Sequence, residues 1–320
     1  MNNRVSMKET IEFLQKCDNV NIITHKAPDG DTLGCGFALV NALRSMGKKA
    51  NVINSEPFPA RYSFLYEGYE PMEFDVECVI SVDVADTQLI GSNLPEYKEE
   101  NAIDFAIDHH ISNTFFAKQT YLDETAAAAC EAIYLILREM GVEITNQIAK
   151  CLYTGIATDT GCFKYQNTTP RTHIIASELI VYDINFARIN RQMFDLKSKG
   201  RQMVEQVATN NMEFFFNDRC AMITISTELV EKSGAEPAEF EGLSSKTLQV
   251  EGVMIGILIK QRDTDRFKIS VRTAEEIDAC AFCNQFGGGG HIRAAGCEIC
   301  GSLSQVKTML IDAVKEVLGD

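Results

Sequence analysis

The sequence predicts an α/β protein: an N-terminal, mainly parallel sheet with flanking helices, followed by a smaller α/β domain. Three observations lead there. Short apolar runs alternate with helix-length segments through the first half of the chain, the pattern of β-α-β units. Three of those runs stop at acidic or imidazole side chains, where strands of open α/β sheets present their chemistry. At 320 residues, with 45% hydrophobic and 23% charged side chains, the chain is comfortable as two ordinary folded domains.

Residues 7–16 read as an opening helix with Ile11, Phe13 and Leu14 apolar. A first strand, 20–24, runs into His25, with Asp29 and Asp31 just beyond. The following helix, 32–46, has apolar residues at Leu33, Phe37, Val40 and Leu43 and ends at Gly47. Its N-terminus lies directly behind the two acids, a good place for an anion. Residues 50–54 make the next strand. Residues 78–82 run into Asp83 and then Asp86, and residues 103–107 run into Asp108, His109 and His110. An alanine-rich helix is expected at 125–140, and another at 145–157 delivers Asp159. Residues 161–170 form a polar loop closed by Pro170 before a helix at 171–182, where His173 reads as a surface or packing residue.

Between 183 and 199 the strand pattern lapses. The first domain is therefore placed at 1–189, a linker at 190–197 and the second domain at 198–320. There a helix at 198–211 precedes a hairpin, with 214–216 and 220–226 as its arms and Asn217-Asp218 as its turn. Strands at 252–260 and 267–271 flank a polar turn at 262–265, and helices are expected at 276–284 and 302–318.

If the strands are parallel neighbours, one sheet edge collects His25, Asp29, Asp31, Asp83, Asp108 and His109, with Asp159 joining from a helix end. Converging carboxylates raise one another's pKa unless a cation sits among them. Mixed oxygen and imidazole donors suit manganese, iron or zinc, and two ions better than one. Each residue alone has a plain reading as a turn or helix cap. The joint pattern, which uses three of the chain's five histidines, favours a site.

Net charge is −15, which argues against a long nucleic-acid groove and leaves a short anionic substrate compatible. Residues 1–189 carry 26 acidic and 15 basic side chains, so the excess falls largely in the domain that would gather cations. No apolar run reaches membrane-spanning length, and the polar start Met1-Asn2-Asn3-Arg4 has no signal-peptide core, so a cytoplasmic protein without a membrane partner is expected. Eleven cysteines then read as reduced thiols. Cys280-x-x-Cys283 and Cys297-x-x-Cys300 have the spacing of zinc ligands. Their helix and strand settings lack the turn geometry of a zinc knuckle, so small buried thiols are expected.

The second domain has its own chemistry. Lys260, Arg262, Arg266, Lys268 and Arg272 form a local basic excess, and four glycines, Gly287, Gly288, Gly289 and Gly290, then precede His291. Glycine lets backbone N–H groups approach a phosphate and curl into an anion nest. Gly288, Gly289, Gly290, His291, Arg262 and Arg272 are therefore the expected substrate-binding residues of this half.

His25-Lys26-Ala27-Pro28-Asp29-Gly30-Asp31, Asp83-Val84-Ala85-Asp86, Asp108-His109-His110 and Asp159-Thr160-Gly161 together resemble the motifs of the DHH phosphoesterases. Phe286-Gly287-Gly288-Gly289-Gly290-His291-Ile292-Arg293-Ala294-Ala295-Gly296 resembles the Gly-rich loop of the associated C-terminal domain. Order and spacing are similar to the short bacterial members, which act as oligoribonucleases and pAp phosphatases.

The resemblance implies a metal-dependent phosphodiesterase that releases 5′-mononucleotides and also converts pAp to AMP. It implies two divalent cations, manganese in the first instance. His25, Asp29 and Asp83 would hold one, and Asp31, Asp83, His109 and Asp159 the other. His110 would bind the phosphate or protonate the leaving group. Asp108 would orient a ligand histidine, and Asn113 would add a phosphate contact. Cys35 departs from the usual serine, which removes a hydroxyl near the first motif. The domains would face each other across a cleft that selects short substrates, about two to five nucleotides long, because an acidic chain gains little from a longer strand. Competing expectations are a cyclic di-AMP or pApA phosphodiesterase and, from another class, a non-catalytic nucleotide sensor. Inorganic pyrophosphatase is disfavoured by the Gly-rich loop. The oligomeric state is left open, a homodimer included.

Overall fold

In the computed structural model, described for residues 3–235, 240, 242–274 and 276–319, a five-stranded sheet forms the N-terminal half. The elements run α1 (Met7–Lys16), β1 (Val20–Ile23), α2 (Gly30–Ser45), β2 (Ala50–Ile53), β3 (Cys78–Val82), β4 (Phe105–Asp108) and β5 (Gln119–Leu122). Helices α3 (Ala129–Glu139), α4 (Asn146–Asp159), α5 (Pro170–Ile180) and α6 (Phe186–Asn190) follow. All strand pairs are parallel, in the order β2-β1-β3-β4-β5. β1, β3 and β4 are buried at every position, as a parallel sheet covered on both faces requires. One face packs on α2, α3 and α4 through Phe37, Val40, Ile133 and Leu152, and the other carries a smaller cluster around Val79, Val84 and Ile103.

The chain leaves β1 for β2 on one side and then supplies β3 on the other. Such a reversal opens a crevice at the carboxyl ends of the strands. β5 carries little strand signal in the sequence, because Gln119-Thr120-Tyr121-Leu122 is too polar to read as a buried strand.

The alanine-rich helix begins at Ala129, four residues later than expected. Its N-cap, Ala128, makes no side-chain cap hydrogen bond. The first turn is instead closed from another helix: Asp31 of α2 accepts from Ala129 N–H at 2.6 Å and Cys130 N–H at 3.0 Å. A carboxylate satisfies these orphan donors and suits the positive end of the helix dipole.

The described chain divides after Leu196 into two compact units. Residues expected as linker include a π-helical turn, Arg191–Asp195, whose Met193 is buried in the first unit's core. The second unit comprises α7 (Lys199–Asn210), β6 (Glu213–Phe215), β7 (Cys220–Ile225), α8 (Thr227–Ser233), β8 (Ile255–Asp263) and β9 (Arg266–Thr273). It continues with α9 (Ala279–Asn284), β10 (Gly289–His291), β11 (Ala294–Cys300) and α10 (Leu303–Leu318). Its sheet runs β10-β11-β9-β8-β7-β6, and only the β7–β8 pair is parallel. One face, with Ile257, Ile269 and Val271, packs on Phe282, Val306 and Leu310 of α9 and α10. On the other, Ile223 and Leu258 pack on Val204 and Ala208 of α7.

The glycines before His291 differ from the expected nest. Gly289, Gly290 and His291 are a paired edge strand against β11. A Cβ at Gly288 would lie 2.3 Å from Gly296 O, so close backbone approach demands glycine there. Cys283 and Cys297 touch inside the core, while Cys300 is exposed on the opposite face of β11, so the four cysteines do not converge. No helix of the described residues is long and apolar enough to cross a membrane. Of the polar N-terminus, Met1 and Asn2 lie outside the described residues.

Gly155, on α4, faces α2 and α3 so closely that an added Cβ would sit 2.3 Å from Cys130 Sγ and 2.6 Å from Asp31 Oδ1. Gly155→Ala should therefore destabilise the protein by about 1–3 kcal/mol through overpacking. Chemical denaturation followed by circular dichroism checks this; unchanged stability would mean that the helices part at no cost.

Candidate metal centre

Three neighbouring strands end on the same crevice. Asp83 follows the middle one, β3; His25 follows β1 on one side, and His109 follows β4 on the other. His25 Nε2 lies 3.6 Å from Asp83 Oδ2, and His109 Nε2 lies 3.5 Å from Asp83 Oδ1. One carboxylate thus offers a different oxygen to each flanking imidazole. Asp83 holds this position with φ of 57°, in the left-handed region that costs a non-glycine residue roughly 1–2 kcal/mol. Its N–H is pinned to Ile107 O at 2.9 Å.

The remaining groups arrive on helix ends. Asp29 is the N-cap of α2, and its Oδ1 accepts from Asp31 and Thr32 N–H while lying 3.5 Å from His25 Nε2. Asp31, in the first turn of α2 and fully buried, brings Oδ2 to 3.9 Å from His109 Nε2. Asp159, the last residue of α4, is 3.4 Å from the same nitrogen. All six expected ligands therefore converge. They fall into two sets, His25, Asp29 and Asp83, and Asp31, His109 and Asp159, which a third group, Asp83, His109 and His110, joins.

Backbone carbonyls set the tautomers. His25 Nδ1 is 2.8 Å from Lys26 O, and His109 Nδ1 is 3.1 Å from Ala126 O. A carbonyl only accepts, so each Nδ1 carries the proton and each neutral ring keeps its Nε2 lone pair for a cation. The fit to a cation shows in what is left unpaired: Asp83 Oδ1 and His109 Nε2 are buried without a hydrogen-bond partner. Buried polar atoms without partners are costly. Divalent cations between these donors would satisfy both.

Without cations the charges strain against each other. Burial, reinforced by repulsion from Asp83, pushes Asp31 up to about 7. Burial together with Asp31 and Asp83 pushes Asp159 up to about 9. Burial opposes a charge on His25, but hydrogen bonding and attraction to Asp29 and Asp83 outweigh it and raise the ring to about 11. His109 is likewise opposed by burial and raised by Asp83, Asp31 and Asp159 to about 10. Metal-free protein thus holds protons where cations belong.

The Asp108 side chain orients the ring of His110 rather than that of His109. Its buried Oδ1 accepts from His110 Nδ1 at 2.8 Å and from His109 N–H at 2.8 Å. That hydrogen bond raises the His110 pKa and favours its charged form. Asn113 corrects the expectation of a phosphate contact. It is buried and donates to Asp108 Oδ2 at 2.6 Å while accepting from Phe115 N–H, so it braces Asp108.

Two supports carried no signal in the sequence. Thr32 Oγ1 accepts from His25 N–H and donates to Val82 O, tying the ends of β1 and β3. Asn167 donates to Ala127 O and Asp159 O, holding the α4 terminus beside the segment that supports His109. His173 stacks on Phe163 away from the ligands.

In the second unit, register places His291, Ala294, Arg272 and Gly256 in one cross-strand row, and Gly289, Gly296 and Ser270 on the same face two residues along. Gly289 and Gly296 floor a strip that bears one imidazole and one guanidinium, while Gly256 at its margin is covered by Thr247. Arg262 does not join it: six residues separate it from Gly256 along β8, about 20 Å of extended chain.

A parallel α/β sheet carrying carboxylates and imidazoles at its topological switch point defines a divalent-cation-binding protein of the hydrolytic type. The chain belongs to the DHH family. The model of the DHH family N-terminal domain matches residues 19–156 and that of the DHHA1 domain residues 220–320. The chain is 31% identical to the bifunctional oligoribonuclease and PAP phosphatase NrnA of Thermus thermophilus, over 98% of this chain and 94% of that protein. Among solved structures, an exopolyphosphatase-related protein from Bacteroides fragilis shares the fold with a TM-score of 0.84 at 23% identity, covering 98% and 97% of the two chains. The exonuclease RecJ bound to manganese aligns with a TM-score of 0.52 at 13% identity, over 98% of this chain and 94% of that one.

At pH 7 the metal-free rings of His25 and His109 are protonated, and cation binding must expel those protons. Because Asp159 and part of the Asp31 population are protonated as well, adding manganese to metal-free protein in weak buffer should release about three to four protons per chain, and apparent affinity should climb with pH. Metal uptake with no change in pH would show that the ions bind elsewhere.

Proposed function

We propose that the protein is a two-metal phosphodiesterase acting on short oligonucleotides and on the nucleotide bisphosphate pAp. The observation that carries this reading is the shared Asp83 carboxylate, with one oxygen toward each of two cation sets and unpaired buried atoms between them. His25, Asp29 and Asp83 would hold one ion, and Asp31, Asp83, His109 and Asp159 the other. Two bound divalent cations, with manganese the first choice, supply an activated water and stabilise charge on the phosphoryl oxygens. His110, whose charged form the hydrogen bond to Asp108 favours, meets the phosphate or protonates the leaving oxygen. The site uses its carboxylates in two ways: those aimed into the crevice would take a cation, and Asp108, already hydrogen-bonded to His110 and Asn113, serves its histidine.

Substrate class rests on the full-length likeness to the Thermus thermophilus protein and on the second unit's strip. Arg272 and His291 supply charge and hydrogen bonding for a nucleotide phosphate, and the glycine floor admits close backbone approach. A net charge of −15 gives a longer strand few further contacts. A cytoplasmic setting, where such products of RNA decay arise, suits this activity.

Incubation with manganese and pAp, pApA, cyclic di-AMP and end-labelled RNAs of graded length tests the proposal. Turnover should peak at about two to five nucleotides, with 5′-mononucleotide released at each step, since affinity does not grow with length. Faster decay of a long RNA than of a dinucleotide would refute it. A preference for cyclic di-AMP would redirect the substrate assignment.

The two units should separate kinetically. His110→Ala should lower kcat by about 10²–10⁴-fold. Arg272→Ala and His291→Ala should chiefly raise KM, all three with unchanged metal content. Metal loss in the Arg272 or His291 variant would place those residues in the wrong site.

A further inference from the structure

Directly behind the metal centre lie two thiols that the proposed reaction does not use. Cys35, one turn after Asp31 on α2, has its Sγ 3.4 Å from Cys130 Sγ and 3.8 Å from Asp31 Oδ1. Cys130 Sγ is also 3.6 Å from Asp31 O. All three residues are fully buried. Burial and the neighbouring carboxylates keep both thiols protonated and chemically quiet toward oxidants.

The same cluster has the dimensions of a coordination set. Two thiolates on one tetrahedral ion, each about 2.3 Å from it, stand about 3.8 Å apart. The sulfur–sulfur separation of 3.4 Å needs only small adjustment to reach that, and Asp31 Oδ1, 3.8 Å from Cys35 Sγ, stands ready as a third donor. Sulfur donors select thiophilic ions over manganese, and a bound cation removes the thiol protons outright.

We propose that Cys35, Cys130 and Asp31 form a third cation site, for a thiophilic ion such as Zn2+ or Cd2+, and that filling it inhibits the enzyme. Asp31 is the doorway. Its Oδ2 faces His109 in the manganese pocket, and its Oδ1 faces the two sulfurs. An ion on the sulfur side draws on the carboxylate that the pocket needs, so excess manganese does not protect activity. The site itself stands on the thiol geometry; the inhibition rests on the two-metal reading above.

Cadmium is the probe, because its thiolate complexes absorb in the ultraviolet. Added to manganese-loaded protein, it should bind with a thiolate-to-cadmium absorption band and abolish turnover of pApA, both reversed by a chelator. Cys35→Ser should keep manganese-supported turnover, lose the band and weaken cadmium inhibition by at least about 10–100-fold. Cys35→Ala serves equally if the serine variant folds poorly. The band should survive Cys78→Ser and Cys283→Ser, which break the contacts of those thiols with Cys17 and Cys297. A band that persists in both Cys35 variants, or vanishes in either control, would overturn the assignment. Should no nucleotide be turned over at all, the phosphodiesterase reading fails while the band still decides the cadmium site.

Discussion

The carboxylate of Asp83 is the constraint around which the N-terminal unit is arranged. It occupies the end of the middle of three strands, so the imidazoles that follow its two neighbours meet it from opposite sides. A parallel sheet places equivalent strand ends in a row less than 5 Å apart. That one acid faces both flanking imidazoles is therefore a consequence of strand order. The left-handed backbone at Asp83 turns the side chain off the strand axis, and its hydrogen bond to Ile107 O holds the strain in place.

Concentrating acids at one point has a cost that the surrounding backbone absorbs. Asp31 caps α3, Asp29 caps α2, and two carbonyls fix the histidine tautomers. These are groups the fold must satisfy in any case, since helix N-termini and loop carbonyls need partners. The same contacts position the ligands before any cation binds. Cations then relieve repulsion that desolvation would otherwise aggravate, which links metal content to proton content.

The second unit solves a different problem. Its sheet is covered by α9 and α10 on one face and by α7 over part of the other. On the β9–β11 side of the second face, glycine and small residues leave backbone near the surface, with Arg272 and His291 at one end. Gly288 and Gly290 are needed for packing β10 against β11, so part of the glycine run is structural as well as chemical.

Much of this was legible from the chain alone, because it depends on local pattern. Strands at 20–24, 78–82 and 103–107 announce themselves as apolar runs, and each stops at a chemically distinctive residue. The family motifs nominated the six side chains that converge, and the net charge of −15 argued against a long nucleic-acid groove. What the sequence could not determine arises from contacts between residues far apart. Asp31 lies almost a hundred positions from the helix it caps, and that contact moves the start of α3 to Ala129. Asn113 reads like a surface phosphate contact until folding buries it under Asp108. Arg262 and Arg272 look equivalent in a basic stretch, yet the register of β8 and β9 sends them to opposite ends of the sheet. Cys35 and Cys130 become neighbours only when α2 and α3 pack. Periodicity and composition report which surfaces an element buries; which partner it meets there is decided by packing among all of them at once.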